Sequence, residues 1–206
     1  MSLTEQKILS DAKKRVAIVT GIPGVGKTTV LNKAADIARQ DYTVEIVNYG
    51  SVMLETAVSS GFVESRDQMR QLPPEKQRKI QKIAAETIAK RTEQGKLLIV
   101  DTHMLIKTPE GYLAGLPDWV VTTLEPDVIV LVEAEPESIF SRRSKDESRL
   151  RDKDSTTEIS TYQNLCRAAA IACSVLSGAT VKIINNQEGM VDKTAEELAV
   201  VLRGVK

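Results

Sequence analysis

Eight consecutive residues set the chemistry this chain can do. Gly21-Ile22-Pro23-Gly24-Val25-Gly26-Lys27-Thr28 satisfy G-x-x-x-x-G-K-[ST] in full, with Thr29 directly after. Glycines let a backbone wind so that successive N–H groups point at phosphate oxygens, and a helix starting there adds the positive end of its dipole. Lys27 would then reach the β- and γ-phosphates of a nucleotide, and the Thr28 hydroxyl would ligate Mg²⁺. The plain alternative is a Gly-rich strand-to-helix turn that binds nothing. The flanks favour phosphate, because Val16–Thr20 reads as a strand before the loop and Thr29–Arg39 as a helix after it.

A second acid completes such a site. Lys96 to Asp101 reads as a buried strand ending in a carboxylate, and the C-terminal end of a parallel strand lies on the ligand-binding edge of its sheet. Asp101 would hold Mg²⁺ through water, opposite Thr28. A guanine-nucleotide switch is excluded by two marks. Met104 stands where D-x-x-G needs its glycine, and Asn32-Lys33-Ala34-Ala35-Asp36 is one residue too long for N-K-x-D.

Arginines concentrate between Phe140 and Asp154, where Arg142, Arg143, Lys145, Arg149, Arg151 and Lys153 alternate with acids. Such a run is ordinarily a solvated helix end. Here it follows a buried strand by one short helix, where a lid can fold over phosphates, and a planar guanidinium grips two phosphate oxygens at once. Arg142, Arg143, Arg149 and Arg151 are therefore expected beside Lys27 as the groups acting on the transferring phosphoryl. Arg66 and Arg70 form a smaller set suited to the phosphate of an acceptor. Lys107, in a stretch read as a turn from Lys107 to Tyr112, is a further acceptor-site candidate. The lone histidine, His103, suits a loop contact better than catalysis, since an acceptor that is already anionic needs no strong base. Trp119 reads as a packing anchor.

These groups need a scaffold that carries them to one edge. Val16–Val19, Val44–Val47, Leu97–Val100, Val128–Val132 and Val181–Ile184 are short β-branched runs nearly free of charge, as expected of strands buried on both faces. Helical stretches alternate with them, so the order is βαβα: an α/β fold of the P-loop NTPase type, with a five-stranded, mostly parallel sheet and helices on both faces. One helix is expected over 74–94, with Pro74 near its start and Gly95 past its end, and another over 157–177. Cys166 and Cys173 fall on one face of the latter, about 10 Å apart along its axis and beyond disulfide reach. Residues 1–14 read as an extension ahead of the first strand, and no repeat or linker divides the chain of 206 residues.

Composition removes several function classes. Lys+Arg and Asp+Glu are both 28, so the basic excess expected of a nucleic-acid binder is missing. Aromatic residues at 3% leave few platforms for stacking bases. No apolar run approaches the length of a membrane span, and the charged N-terminus is unlike a secretion signal, which points to the cytoplasm.

From about Arg15 to its end the chain resembles the archaeal adenylate kinases. The resemblance is carried by the Gly21–Thr28 loop and by Asn48-Tyr49-Gly50-Ser51-Val52-Met53, Arg66-Asp67-Gln68-Met69-Arg70 and Val100-Asp101-Thr102-His103. It continues through Ile106-Lys107-Thr108-Pro109-Glu110-Gly111-Tyr112, Leu113-Ala114-Gly115-Leu116-Pro117 and the stretch from Arg142-Arg143 to Arg149-Leu150-Arg151-Asp152. It implies reversible phosphoryl transfer, ATP + AMP giving two ADP, with Mg²⁺ on the ATP. It implies a core holding ATP at Gly21–Thr29, an AMP-binding segment near 49–75 that includes Gly50, and a short lid near 142–156. It also implies a homo-oligomer, a trimer. Glu55 stands where the bacterial pattern has its AMP-phosphate arginine, which leaves Arg66 and Arg70 as the candidates. Another small P-loop kinase with a different acceptor, or a nucleotide-gated ATPase, remains the alternative.

Overall fold

The structure is a computed structural model that describes residues 15–93, 95–108, 110–145 and 154–205. Five strands form its main sheet: β1 (Arg15–Thr20), β2 (Thr43–Asn48), β3 (Lys96–Asp101), β6 (Val128–Glu133) and β7 (Thr180–Asn185), in the order β2-β3-β1-β6-β7. Every pairing in it is parallel, so the expectation of a mostly parallel sheet is exceeded. All six residues of β6 are buried, and β1 is buried from Val16 onward. Strands covered on both faces need no polar alternation, which is why these runs read as continuous apolar stretches.

Helices α1 (Lys27–Ala38), α2 (Tyr49–Ser59), α3 (Arg66–Arg70), α4 (Pro74–Ala89), α5 (Asp118–Leu124), α6 (Pro136–Lys145), α7 (Thr156–Ser177) and α8 (Val191–Arg203) connect and cover the strands. Chain direction decides which face each one takes. From β1 the chain passes over β3 to reach β2, and it then returns through β3, β6 and β7 in the opposite sense. Right-handed crossovers place helices on opposite faces when the direction reverses. Accordingly α1 packs with α8, while α4, α5 and α7 contact one another in series. The loops leaving the adjacent strands β1 and β3 thus diverge to opposite faces. A crevice opens between them at the C-terminal edge of the sheet, the place where open α/β sheets bind ligands.

Local signals explain the ends of most elements. Helix α7 begins with a reciprocal capping box: the Ser155 side chain accepts from the Glu158 N–H while the Glu158 carboxylate accepts from Ser155. It ends at Gly178 in the left-handed conformation that glycine adopts without strain. Helix α4 stops at Ala89, short of the expected Gln94, and the chain leaves it through Lys90–Thr92 in turn hydrogen bonds. The expected turn from Lys107 to Tyr112 is instead part of a hairpin, in which β4 (Leu105–Thr108) pairs antiparallel with β5 (Gly111–Ala114) and Lys107 faces Tyr112. Strands of four residues give too short an alternation to stand out in the sequence.

The described residues form two apolar cores. The main one surrounds the sheet from Val16 to Val205, and a small separate one joins Ala57, Val63 and Ile80 under α2, α3 and α4. Cys166 and Cys173 are both buried and both free thiols on α7. Trp119 is half-buried against the main core, with the Arg78 guanidinium 4.8 Å above its ring.

Candidate active site

The loop from Gly21 to Thr28 turns from β1 into α1 under tight constraints. A Cβ at Gly21 would lie 2.5 Å from the Val132 carbonyl oxygen, so the loop leaves the sheet where only glycine fits. Gly26 caps α1 with φ 85°, a conformation that an L side chain resists. Lys27 opens the helix and is buried there. Its Nζ pairs with Oδ1 of Asp101, which closes β3. Burial pushes the Lys27 ammonium down to about 8. Asp101 uses its second oxygen, Oδ2, to accept from Asn48 Nδ2 at 2.9 Å.

Asn48 faces Asp101 in the register of β2 and β3. Its Oδ1 caps α2 by accepting from the Ser51 N–H at 3.0 Å. One chain of contacts therefore joins the ends of β2 and β3 to the first residue of α1. Next to it Thr102 donates its N–H to the Val19 carbonyl, and His103 Nδ1 lies 3.0 Å from the Gly21 carbonyl oxygen. His103 thus contacts the loop. Thr28 is exposed at the mouth of the loop.

A cavity opens from Lys27 and Asp101 toward α2 and α4. Asn48, Tyr49, Gly50, Met53, Arg66, Gln81, His103 and Ile106 line it. Tyr49 is buried and donates to the Gln81 carbonyl at 2.8 Å, which ties α2 to α4 across the cavity wall. Burial raises its phenol well above the usual range, so it stays a neutral donor. Arg66 reaches toward the Ser51 hydroxyl and lines the cavity together with Gly50, bringing two of the expected acceptor residues together. The side chain of Arg70 lies outside the described residues. Lys107 is not on this wall: its ammonium pairs with Asp154, and its neighbour Ile106 lines the cavity.

The arginines at the end of α6 lie against the outside of the loop. Arg143 donates from Nε to the Pro23 carbonyl at 2.9 Å and from its Nη1 to Asp154 at 2.7 Å. Arg142 reaches the Val25 carbonyl at 3.3 Å and the Gly24 carbonyl at 3.4 Å, and pairs with Glu188 at 3.0 Å. Buried Asp154 accordingly binds one cation from the arginine run and one from the hairpin. Arg149 and Arg151 lie outside the described residues.

Asn48, Tyr49, Gln81, Asp154 and Asn186 were not singled out as site residues from the sequence. Asn48 and Asn186 carried a usable signal, since each lies at or just past the C-terminal end of a parallel strand, where Asp101 also lies. Gln81 lies mid-helix and Asp154 is one of several acids in the charged run, so neither stood out.

A phosphate loop, a strand-end carboxylate paired to its lysine and an adjoining cavity on a parallel sheet define a P-loop kinase. The AAA domain family matches residues 20–160. Among solved structures, shikimate kinase from Bacteroides thetaiotaomicron aligns over 93% of this chain and 99% of its own, with a TM-score of 0.56 at 12% identity. A sugar kinase from a Janibacter species aligns over 94% and 96% with a TM-score of 0.50 at 15% identity. These likenesses show the fold. Sequence narrows it: the adenylate kinase of Methanocaldococcus jannaschii is 50% identical over 93% of this chain and all of its own. That of Methanothermobacter thermautotrophicus is 51% identical over 91% and 99%. The chain belongs to the adenylate kinase family, in its archaeal branch.

Proposed function

We infer that this chain catalyses the reversible transfer ATP + AMP giving two ADP. The observation that carries the reading is the cavity shared by Lys27 and Asp101 at one end and by Tyr49, Gly50 and Arg66 at the other. It gives a donor on the loop and an anionic acceptor beside it access to one space. Both nucleotides being charged, catalysis is mostly positioning and electrostatic stabilisation, and no strong base is required.

Lys27 holds the donor phosphates after leaving Asp101, and the loop amides from Gly21 to Thr29 complete the cradle. Arg66 and Arg70 take the acceptor phosphate, in a segment near 49–75. Arg142, Arg143, Arg149 and Arg151, in a lid near 142–156, supply positive charge to the transferring group and keep water out. Arg142 and Arg143 first exchange loop carbonyls and carboxylates for phosphate oxygens.

The donor set fits Mg²⁺. Asp101 and Thr28 offer hard oxygens at the loop mouth, and no cluster of three or more His, Cys, Asp or Glu capable of caging a metal exists among the described residues. A cation bound by few protein oxygens, sharing its shell with water and phosphates, is the magnesium pattern. Bound there, it would neutralise charge on the donor phosphates. No described helix is long and apolar enough to cross a membrane. A cytoplasmic homo-oligomer, a trimer, is part of the proposal.

The deciding experiment supplies ADP as the sole nucleotide with Mg²⁺ and follows the products. Equal formation of ATP and AMP is expected. ADP left unchanged, or broken down to AMP and phosphate without ATP, would refute the reading.

A further inference from the structure

Asn186 has no task in the reading above. It directly follows β7, is 1% exposed, and donates its backbone N–H to the Glu133 carbonyl at 2.7 Å, which ties it to the end of β6. From that anchor its Nδ2 donates to the Val25 carbonyl at 2.8 Å. Its Oδ1 is buried and has no partner. A side chain kept only for packing would be apolar here, because a buried acceptor without a donor is costly. The bond made by Nδ2 is what the amide adds.

Peptide geometry gives that bond its consequence. The Val25 C=O and the Gly26 N–H belong to one planar trans unit, so they point in opposite directions. Holding the carbonyl outward turns the Gly26 N–H inward, toward the hollow of the loop. Glycines at φ 94° and φ 85° flank Val25, and such residues rotate with little resistance, so nothing in the loop itself fixes this peptide. Arg142 touches the same carbonyl at 3.3 Å but is drawn outward by exposed Glu188. The Asn186 contact is shorter, buried and uncharged. It is also close enough that a Cβ at Gly26 would meet Nδ2 at 2.6 Å.

We propose that Asn186 is a positioning residue for the donor nucleotide: by holding the Val25 carbonyl it presets the Gly26 amide to face phosphate before ATP arrives. The inference rests on the donor-site reading and concerns that site alone. It does not involve the acceptor cavity, and it shares only the Val25 carbonyl with Arg142.

Isothermal titration of ATP alone and of AMP alone, on the wild-type chain and on Asn186→Ala, tests it, with thermal unfolding as the control for folding. Losing a buried hydrogen bond that orders a ligand-binding peptide is expected to weaken ATP binding about tenfold while AMP binding stays within about twofold. Asn186→Asp keeps the shape but turns an acceptor toward the Val25 carbonyl, and should weaken ATP binding at least as much as Asn186→Ala. An Asn186→Ala chain whose ATP affinity falls by no more than its AMP affinity overturns the proposal, whatever happens to the unfolding temperature. Should that variant fail to fold, the same two constants on Asn186→Ser decide in the same way. A wild-type chain that binds ATP but not AMP would sink the adenylate kinase reading, and the ATP affinities of the variants would still judge this one.

Discussion

The proposed donor and acceptor sides of the site are built to different standards. The phosphate loop grows out of the central strand of a five-stranded sheet, and its carbonyls are held from outside by Arg142, Arg143 and Asn186. The acceptor wall hangs on α2, α3 and α4, whose own core is Ala57, Val63 and Ile80. Its ties to the rest run mainly through Asn48, Tyr49 and the apolar face of α4. A region resting on few buried contacts opens at lower cost than one embedded in the main core. On the proposed reading, the fold holds the donor side firmly and leaves play in the part that would admit and release an acceptor.

The hardest test of that contrast is Lys27→Ala. If Lys27 holds the donor phosphates as proposed, turnover should fall by about a thousandfold or more. Thermal stability should fall as well, because the substitution leaves the buried Asp101 carboxylate without its cation. Near-normal ADP formation would remove the loop from the mechanism. Next in size is the pair Arg149→Ala and Arg151→Ala, outside the described residues. Charge supplied in the transition state predicts a loss of kcat of at least about a hundredfold, larger than any loss of ATP affinity, with lysine replacements recovering only part. A double variant with wild-type kcat would return that stretch to a solvated surface.

Ile80→Ala sharpens the comparison from the acceptor side. Emptying the small core should cost about 2–4 kcal/mol locally. AMP affinity is expected to fall about tenfold with ATP affinity nearly unchanged, and equal losses at both sites would show that the two cores act as one. The smallest effect is a pH slope at the donor side. Burial holds the free Lys27 ammonium at about 8, and phosphates favour its charged form. Above that pH the free enzyme has lost a proton that the complex needs, so ATP affinity should decline by up to about tenfold per pH unit. Lys27→Arg, which keeps its charge, should flatten the slope.

How far the sequence shows these things differs from element to element. The strands around Val16–Val19 and Val128–Val132 were legible because burial on both faces leaves an unbroken apolar run. The loop was legible because its glycines and Lys27 are spaced by the phosphate they would hold. Lys107 shows the limit. It was expected in a turn beside the acceptor, but it lies in a hairpin and pairs with Asp154, 47 residues away, and no local pattern reports a long-range ion pair. Asn186 shows the same limit, since the carbonyl it holds is 161 residues distant. Gln81 lines the cavity where α4 packs on α2, a tertiary contact that Tyr49 marks and no local pattern shows.

The two thiols on α7 have a practical consequence. Burial pushes Cys166 up to about 12 and raises Cys173 as well, so neither supplies appreciable thiolate at neutral pH, and only the thiolate attacks alkylating reagents or disulfides. The folded chain is therefore inert to iodoacetamide at these positions, whereas an opened α7 exposes ordinary cysteines. Alkylation of this protein is a clock that ticks only when that helix leaves the sheet.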